Sequence, residues 1–253
     1  MSLPIWTPAA LSSSARPYAG TAWRLVEAQH RVSTLRLVDT LAEQQLLEEI
    51  LDESKPVVPA ECQGLDYLLS TPFRYGPAYP HGSRFRRAGR TLGVFYAAEN
   101  VETAVAELAF YRLLFFAESP RTEFPEGASD YTAFSVALVA DRVLDLTAPP
   151  LSGDEASWTD PVDYTACQAL ADAARGAEVT LLRYRSVRDP GCRANLAVLS
   201  CRAFARPAPL SRQTWKIRSG RDRVQALCDF PVASLEFTVA EFAADPRLAG
   251  LRR

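Results

Sequence analysis

Apolar residues recur along this chain in two spacings, every second residue and every third or fourth. Residues 23–26 predict a short strand. Residues 39–53 predict a helix, capped by Asp39 or Thr40, with Leu41, Leu47, Ile50 and Leu51 as its apolar stripe. Lys55-Pro56 stops it. A loop broken by glycine and proline then runs to about Thr91, with residues 67–69 as an ordered island. Residues 93–98, GVFYAA, predict a buried strand, and Asn100 is placed to cap a helix over residues 101–117. Strands follow at 132–138 and 142–146, then a helix at 164–175 closed by Gly176. Further strands are predicted at 179–184, 195–204, 213–218 and 235–239. Helices and strands mix without a βαβ rhythm, which favours α+β over a doubly wound sheet. Residues 1–22, with Pro4, Pro8 and Pro17, read as an irregular arm, and residues 23–253 as one domain.

Composition removes several functions. The 253 residues carry 28 Lys+Arg against 30 Asp+Glu, so bulk charge gives no reason to coat nucleic acid or an anionic membrane. Five widely spaced cysteines and no C-x-x-C argue against a disulfide framework or structural zinc, and two histidines cannot build a multi-histidine metal centre. No run of about 18 apolar residues is present to span a bilayer, and the N-terminal stretch lacks the pattern of a signal peptide. A soluble, reduced, cytoplasmic protein without metal is expected. No G-x-G-x-x-G, P-loop or G-x-S-x-G motif occurs, so a nucleotide would be held by side chains rather than a glycine cradle.

Three features are candidates for chemistry. Residues 67–98 hold no Asp or Glu, yet carry Arg74, Arg84, Arg86, Arg87 and Arg90 among Phe73, Tyr75, Tyr79 and Phe85. Arginine forks suit phosphate oxygens and aromatic faces suit a flat base; a solvated arginine-rich loop is the plain alternative. Glu107 is the only acid in TAVAELAFYRLLFFA, a helix apolar on almost every face. A carboxylate there is predicted to be at least half buried, and needs either an arginine partner or a task. The third feature is RYRSVRDPGCRAN, residues 183–195, where an apolar strand runs into a loop with Ser186, Arg188 and Asn195. Ser186 has no Ser/His/Asp setting, so it reads as a hydrogen-bonding residue or as part of an ordinary polar turn.

Taken together these residues resemble the RES domain family across roughly residues 23–204. Arg24 in WRLVEAQHR matches the arginine of the family's opening strand, and Arg84 in GSRF its Gly-Gly-Arg element. Tyr96 in VFYAAE matches the strand tyrosine, and Glu107 in TAVAEL the helix glutamate. Ser186 and Asn195 look like the downstream serine and asparagine. A helical insertion at about residues 36–72 separates Arg24 from Arg84, and Tyr111 stands where many relatives have histidine. Arg74-Tyr75 is a second Arg-Tyr pair, and Thr165 in YTACQ lies where some relatives carry serine.

The resemblance implies an ADP-ribosyltransferase-like fold, with a mixed or antiparallel β core flanked by helices. It implies NAD+ as substrate and a role as the toxin of a toxin–antitoxin pair. The partner implied is an antitoxin with an Xre-like helix-turn-helix part; a homodimer is left open. Arg84, Tyr96, Glu107 and Ser186 would then be catalytic, and Arg24, Arg74, Tyr75, Thr165 and Asn195 would bind NAD+. Cleavage of the nicotinamide–ribose bond, by hydrolysis or phosphorolysis, is the leading expectation. ADP-ribosyl transfer to a protein and non-catalytic anion or nucleic-acid binding are the alternatives.

Overall fold

A computed structural model describes residues 6–28, 37–75 and 81–251; His30 and Tyr79 lie outside them. The fold is α+β. Helix α1 (Pro8–Ser14) leads into strand β1 (Arg16–Glu27), so most of the segment read as an irregular arm is ordered. Pro8 stands at the start of α1, where a missing N–H costs nothing, and Thr7 caps it. Helices α2 (Leu41–Glu53) and α3 (Tyr67–Arg74) follow, then strand β2 (Phe95–Ala98) and helix α4 (Val101–Glu118). The long strand β3 (Ser129–Asp145) is followed by the short helix α5 (Glu155–Trp158) and by α6 (Thr165–Gly176). Strands β4 (Leu181–Arg185), β5 (Ala194–Val198), β6 (Ser211–Ser219), β7 (Arg223–Cys228) and β8 (Ala233–Thr238) complete the chain.

The strands form one sheet in the order β1-β2-β5-β4-β3-β6-β7-β8, and β1 also pairs with β3. That extra pairing closes β1, β2, β5, β4 and β3 into a five-stranded barrel, with β6, β7 and β8 extending from β3. Only β3 and β4 run parallel; the other pairs are antiparallel. The crossover between them holds α5 and α6, as a parallel pair requires. Alternation along the strands separates two buried faces. Phe95 and Ala97 join Leu196 and Val198 on one, while Ala197, Leu182 and Tyr184 join Leu170 and Ala174 of α6 on the other.

Several boundaries differ from the pattern-based expectation. The strands expected at 132–138 and 142–146 are one element. The polar residues Asp141 and Arg142 do not mark a turn; β3 exchanges neighbours there, from β6 at residues 129–135 to β4 at 143–145. Arg142 donates to the Ala177 carbonyl and to Ser12. Helix α6 runs through Gly176, and Glu178 takes the left-handed backbone, φ 56°, that the glycine was expected to supply. Asn100 occupies the N-cap of α4, but its side chain makes no capping bond. Residues expected to continue β5 to 204 turn into a 3-10 helix at Cys201–Ala203. Gly93 precedes β2 rather than belonging to it. A Cβ there would lie 1.9 Å from the Pro72 carbonyl oxygen, so only glycine lets the chain pass α3 into the barrel.

Candidate active site

Helix α4 carries the central carboxylate. Ala104, Val105, Ala106, Ala109, Phe110, Leu113 and Leu114 are buried around Glu107, so the helix has no freedom to rotate or slide. Glu107 itself is half-buried and faces a cavity of about 310 Å³. Its Oε1 accepts from Ser186 Oγ at 2.7 Å and from Asn195 Nδ2 at 2.5 Å. Among the described residues nothing bonds to Oε2. The carboxylate is thus loaded on one oxygen and open on the other.

Ser186 is oriented by the loop that follows β4. Its Oγ accepts from the N–H groups of Asp189 at 3.0 Å and Arg188 at 3.2 Å, so its own hydrogen points to Glu107. A hydroxyl so occupied, and 1% exposed, supports the carboxylate instead of attacking a substrate. The loop is latched to α4 by Asp189, whose Oδ2 accepts from Thr103 Oγ1 at 2.8 Å, one helical turn before Glu107. Asp189 also takes both arms of Arg193, at 2.6 and 2.8 Å. Burial would raise the Asp189 carboxyl, but the bonds from Arg193, Thr103 and Gly191 hold it below its ordinary range. Asn195, 3% exposed, sits opposite Ala98 on neighbouring β2. Its amide nitrogen is spent on Glu107, while its Oδ1 is buried without a partner.

Arg24 and Arg84 line the same cavity as Glu107. Arg24, on β1, donates Nη1 to the Tyr96 carbonyl at 2.8 Å and lies 5.0 Å from the Phe95 ring centre. Its Nε is buried and unpartnered. Burial lowers its pKa to about 10, with Tyr96 opposing, so it remains a cation at neutral pH. Arg84, 7% exposed, donates to the Trp158 carbonyl at 2.8 Å and lies 4.6 Å over the Tyr164 ring. Tyr96 builds the wall that holds it. The Tyr96 hydroxyl accepts from the Phe85 N–H at 2.9 Å and shares a 2.8 Å hydrogen bond with Ser83. Arg84 lies between these two anchors.

The cavity therefore brings together Arg24, Arg84, Tyr96, Glu107 and Asn195, with Ser186 directly behind Glu107. It does not include Arg74, Tyr75 or Thr165. Arg74 ends α3 and reaches Asp52 of α2 at 3.7 Å, Tyr75 follows it as an exposed side chain, and Thr165 is exposed at the start of α6. Of the other arginines in the acid-free segment, Arg87 pairs with Asp172 of α6 at 3.0 Å. Composition alone gave five arginines equal standing; of those five, only Arg84 lines the cavity.

Trp23, Tyr164 and Tyr184, not singled out from the sequence, also line it, as do Tyr111 and Arg188, to which no site role was assigned. Arg188 is 3% exposed in its side chain, pairs with Asp245 at 2.8 Å and lies 3.9 Å over Phe110. Asp245 also pairs with Arg247 at 2.7 Å. The C-terminal segment thereby docks beneath the Ser186 loop. No local signal links Arg188 to Asp245, because Arg188 sits in the polar stretch RYRSVRDPGCRAN. Glu61, Cys62 and Cys201 offer ligand atoms within 4.8 Å of one another, but none lines the cavity. No helix among the described residues is long and apolar enough to cross a membrane.

Residues 58–218 match the family model described as RES domain, which is more than half of the chain. No curated protein sequence matches the chain. Among solved structures, a chain from the crystal structure of the M. tuberculosis MbcT-MbcA toxin-antitoxin complex is similar at 15% identity and TM-score 0.48. The likeness covers 96% of this chain and 97% of that one.

Proposed function

The chain belongs to the RES domain family, and from that premise we propose that it cleaves the nicotinamide–ribose bond of NAD+ as the toxin of a toxin–antitoxin pair. One observation carries the chemistry. A half-buried carboxylate is fixed by Ser186 and Asn195 through one oxygen and left open on the other, in a cavity that Arg24 and Arg84 also line.

Cleavage of this bond passes through an oxocarbenium-like state, as in glycoside hydrolysis. Nicotinamide leaves as a neutral molecule, so no strong general acid is required. The site has to hold the pyrophosphate, orient the ribose and stabilise positive charge at the anomeric carbon. Arg24 and Arg84 supply the first task through donors not spent on carbonyls. Glu107 Oε2 supplies the third, and its anchored Oε1 means that no reorganisation is needed as charge develops. The orphaned Asn195 Oδ1 is an acceptor for a ribose hydroxyl. Tyr96 acts by holding the Arg84 loop, since its hydroxyl is already bonded.

Purified protein incubated with NAD+ is expected to release free nicotinamide, measured by chromatography. Glu107→Gln keeps the shape and removes the charge, and is expected to lower the rate by about 100-fold or more. Ser186→Ala is expected to cost less, since Asn195 still holds Oε1. No release in water or phosphate buffer, or full activity of Glu107→Gln, would overturn the reading. The antitoxin partner, with an Xre-like helix-turn-helix part, is tested by co-expression, which should relieve growth arrest and co-purify with the chain.

A further inference from the structure

Five aromatic side chains line the cavity: Trp23, Tyr96, Tyr111, Tyr164 and Tyr184. Four are already committed. Tyr96 is tied by its hydroxyl to Ser83 and Phe85. The ring of Tyr164 carries the Arg84 guanidinium. Tyr184 is 6% exposed and meets Phe85 edge-on at 4.9 Å. Trp23 is partly buried against the apolar cluster around α4. Tyr111 differs from all of them. It is 52% exposed, although α4 buries half of its residues. Phe110 meets it edge-on, 5.3 Å between centres at 78°, which steadies the ring.

We propose that Tyr111 is the platform for the nicotinamide ring of NAD+, and so a specificity-determining residue. The inference rests on the NAD+-cleaving reading of the same site. Its geometry follows from α4. The bond to be broken lies at Glu107, and Tyr111 stands one turn further on, about 5.4 Å along the axis. The ring joined directly to the anomeric carbon falls within that distance. The adenine does not, because two riboses and a pyrophosphate intervene.

The electronic match is specific to the intact substrate. In NAD+ the nicotinamide is a pyridinium cation, which the electron-rich face of a tyrosine attracts. When the glycosidic bond breaks, its electron pair goes to the ring nitrogen and the cation becomes neutral nicotinamide. The attraction is therefore strongest in the bound substrate and fades toward the transition state. A contact of that kind sets KM and adds nothing to kcat.

Tyr111→Ala is expected to raise KM for NAD+ about tenfold, with kcat unchanged or slightly higher. Tyr111→Phe keeps the ring and should restore KM. Binding is read separately from turnover by calorimetry in the Glu107→Gln background. There, adding Tyr111→Ala should weaken NAD+ but leave ADP-ribose, which lacks the ring, bound as before. Equal weakening of both ligands, a loss in kcat alone, or a Tyr111→Phe defect as large as that of alanine would overturn the platform. Wild-type NAD+ parameters in Tyr111→Ala would also overturn it while leaving NAD+ cleavage intact. Failure of the unmodified protein to bind or cleave NAD+ would remove the underlying reading and this inference with it.

Discussion

Helix α4 buries side chains around nearly its whole circumference, and helix α2 buries none. Both are well-formed helices, but different forces form them. Helix α2 rests on local chemistry. Thr40 and Glu43 make a reciprocal capping box, and Asp52 pairs with Lys55 and Arg74. Leu41, Leu46, Ile50 and Leu51 remain exposed. Helix α4 has an N-cap residue that makes no capping bond, and packing defines it instead. The difference follows the family boundary, because α2 lies before the matched residues 58–218 and α4 lies within them. A carboxylate that must stay in place sits on the packed helix; no residue of the helix outside the matched core lines the cavity.

The sharpest way to break this comparison is to hollow out α4. Phe110→Ala removes a fully buried ring that also carries Arg188, and should cost about 3–5 kcal/mol in urea unfolding. A loss under 1 kcal/mol would show that α4 is not packed as described. Next in size is the latch between α4 and the Ser186 loop. Thr103→Val leaves Asp189 short of one buried bond, for about 1–3 kcal/mol. Nicotinamide release should fall about tenfold or more as Ser186 loses its register with Glu107. Unchanged activity would mean that the loop is held without the latch.

A smaller effect appears only in acid. Asp189 and Asp245 are buried, which alone would raise them, but arginine partners hold both below the ordinary carboxylate value. Their folded pKa values lie below the unfolded one, so each adds stability above about pH 4. That contribution is lost as the pH falls through the folded value. Urea midpoints measured from pH 7 down to pH 3 should drop below pH 4, and less steeply in Asp189→Asn. The smallest effect is expected on α2, where Ile50→Asp should change stability by less than about 0.5 kcal/mol and leave nicotinamide release intact.

The same contrast explains what could be read from the sequence. Helix α2 was legible to within two residues because its signals, a cap and a stop, are local. Glu107 was legible as a buried acid because its neighbours are all apolar. Its partners were not, since Ser186 and Asn195 lie 79 and 88 residues away and only a family pattern links them. Arg74-Tyr75 and Arg84 are chemically alike in sequence. Which of them reaches the cavity is set by the tertiary fold, and no spacing encodes that. Strand β7 went unseen although Val224, Ala226 and Cys228 alternate inward, because the outward Leu227 is apolar and the strand is short, which blurs the period.

The barrel has a consequence for synthesis. Strand β1 pairs with β3 from Glu27 opposite Tyr131 to Arg16 opposite Val143, so it waits for more than a hundred residues before its long partner exists. At about 5–20 residues per second, that is roughly 5 to 20 seconds on the ribosome with an unsatisfied edge. Arg24 rides on that strand, and Asn195 is made later still. The cavity therefore stays incomplete until Asn195 is added, although Arg24, Arg84, Tyr96 and Glu107 are made well before it.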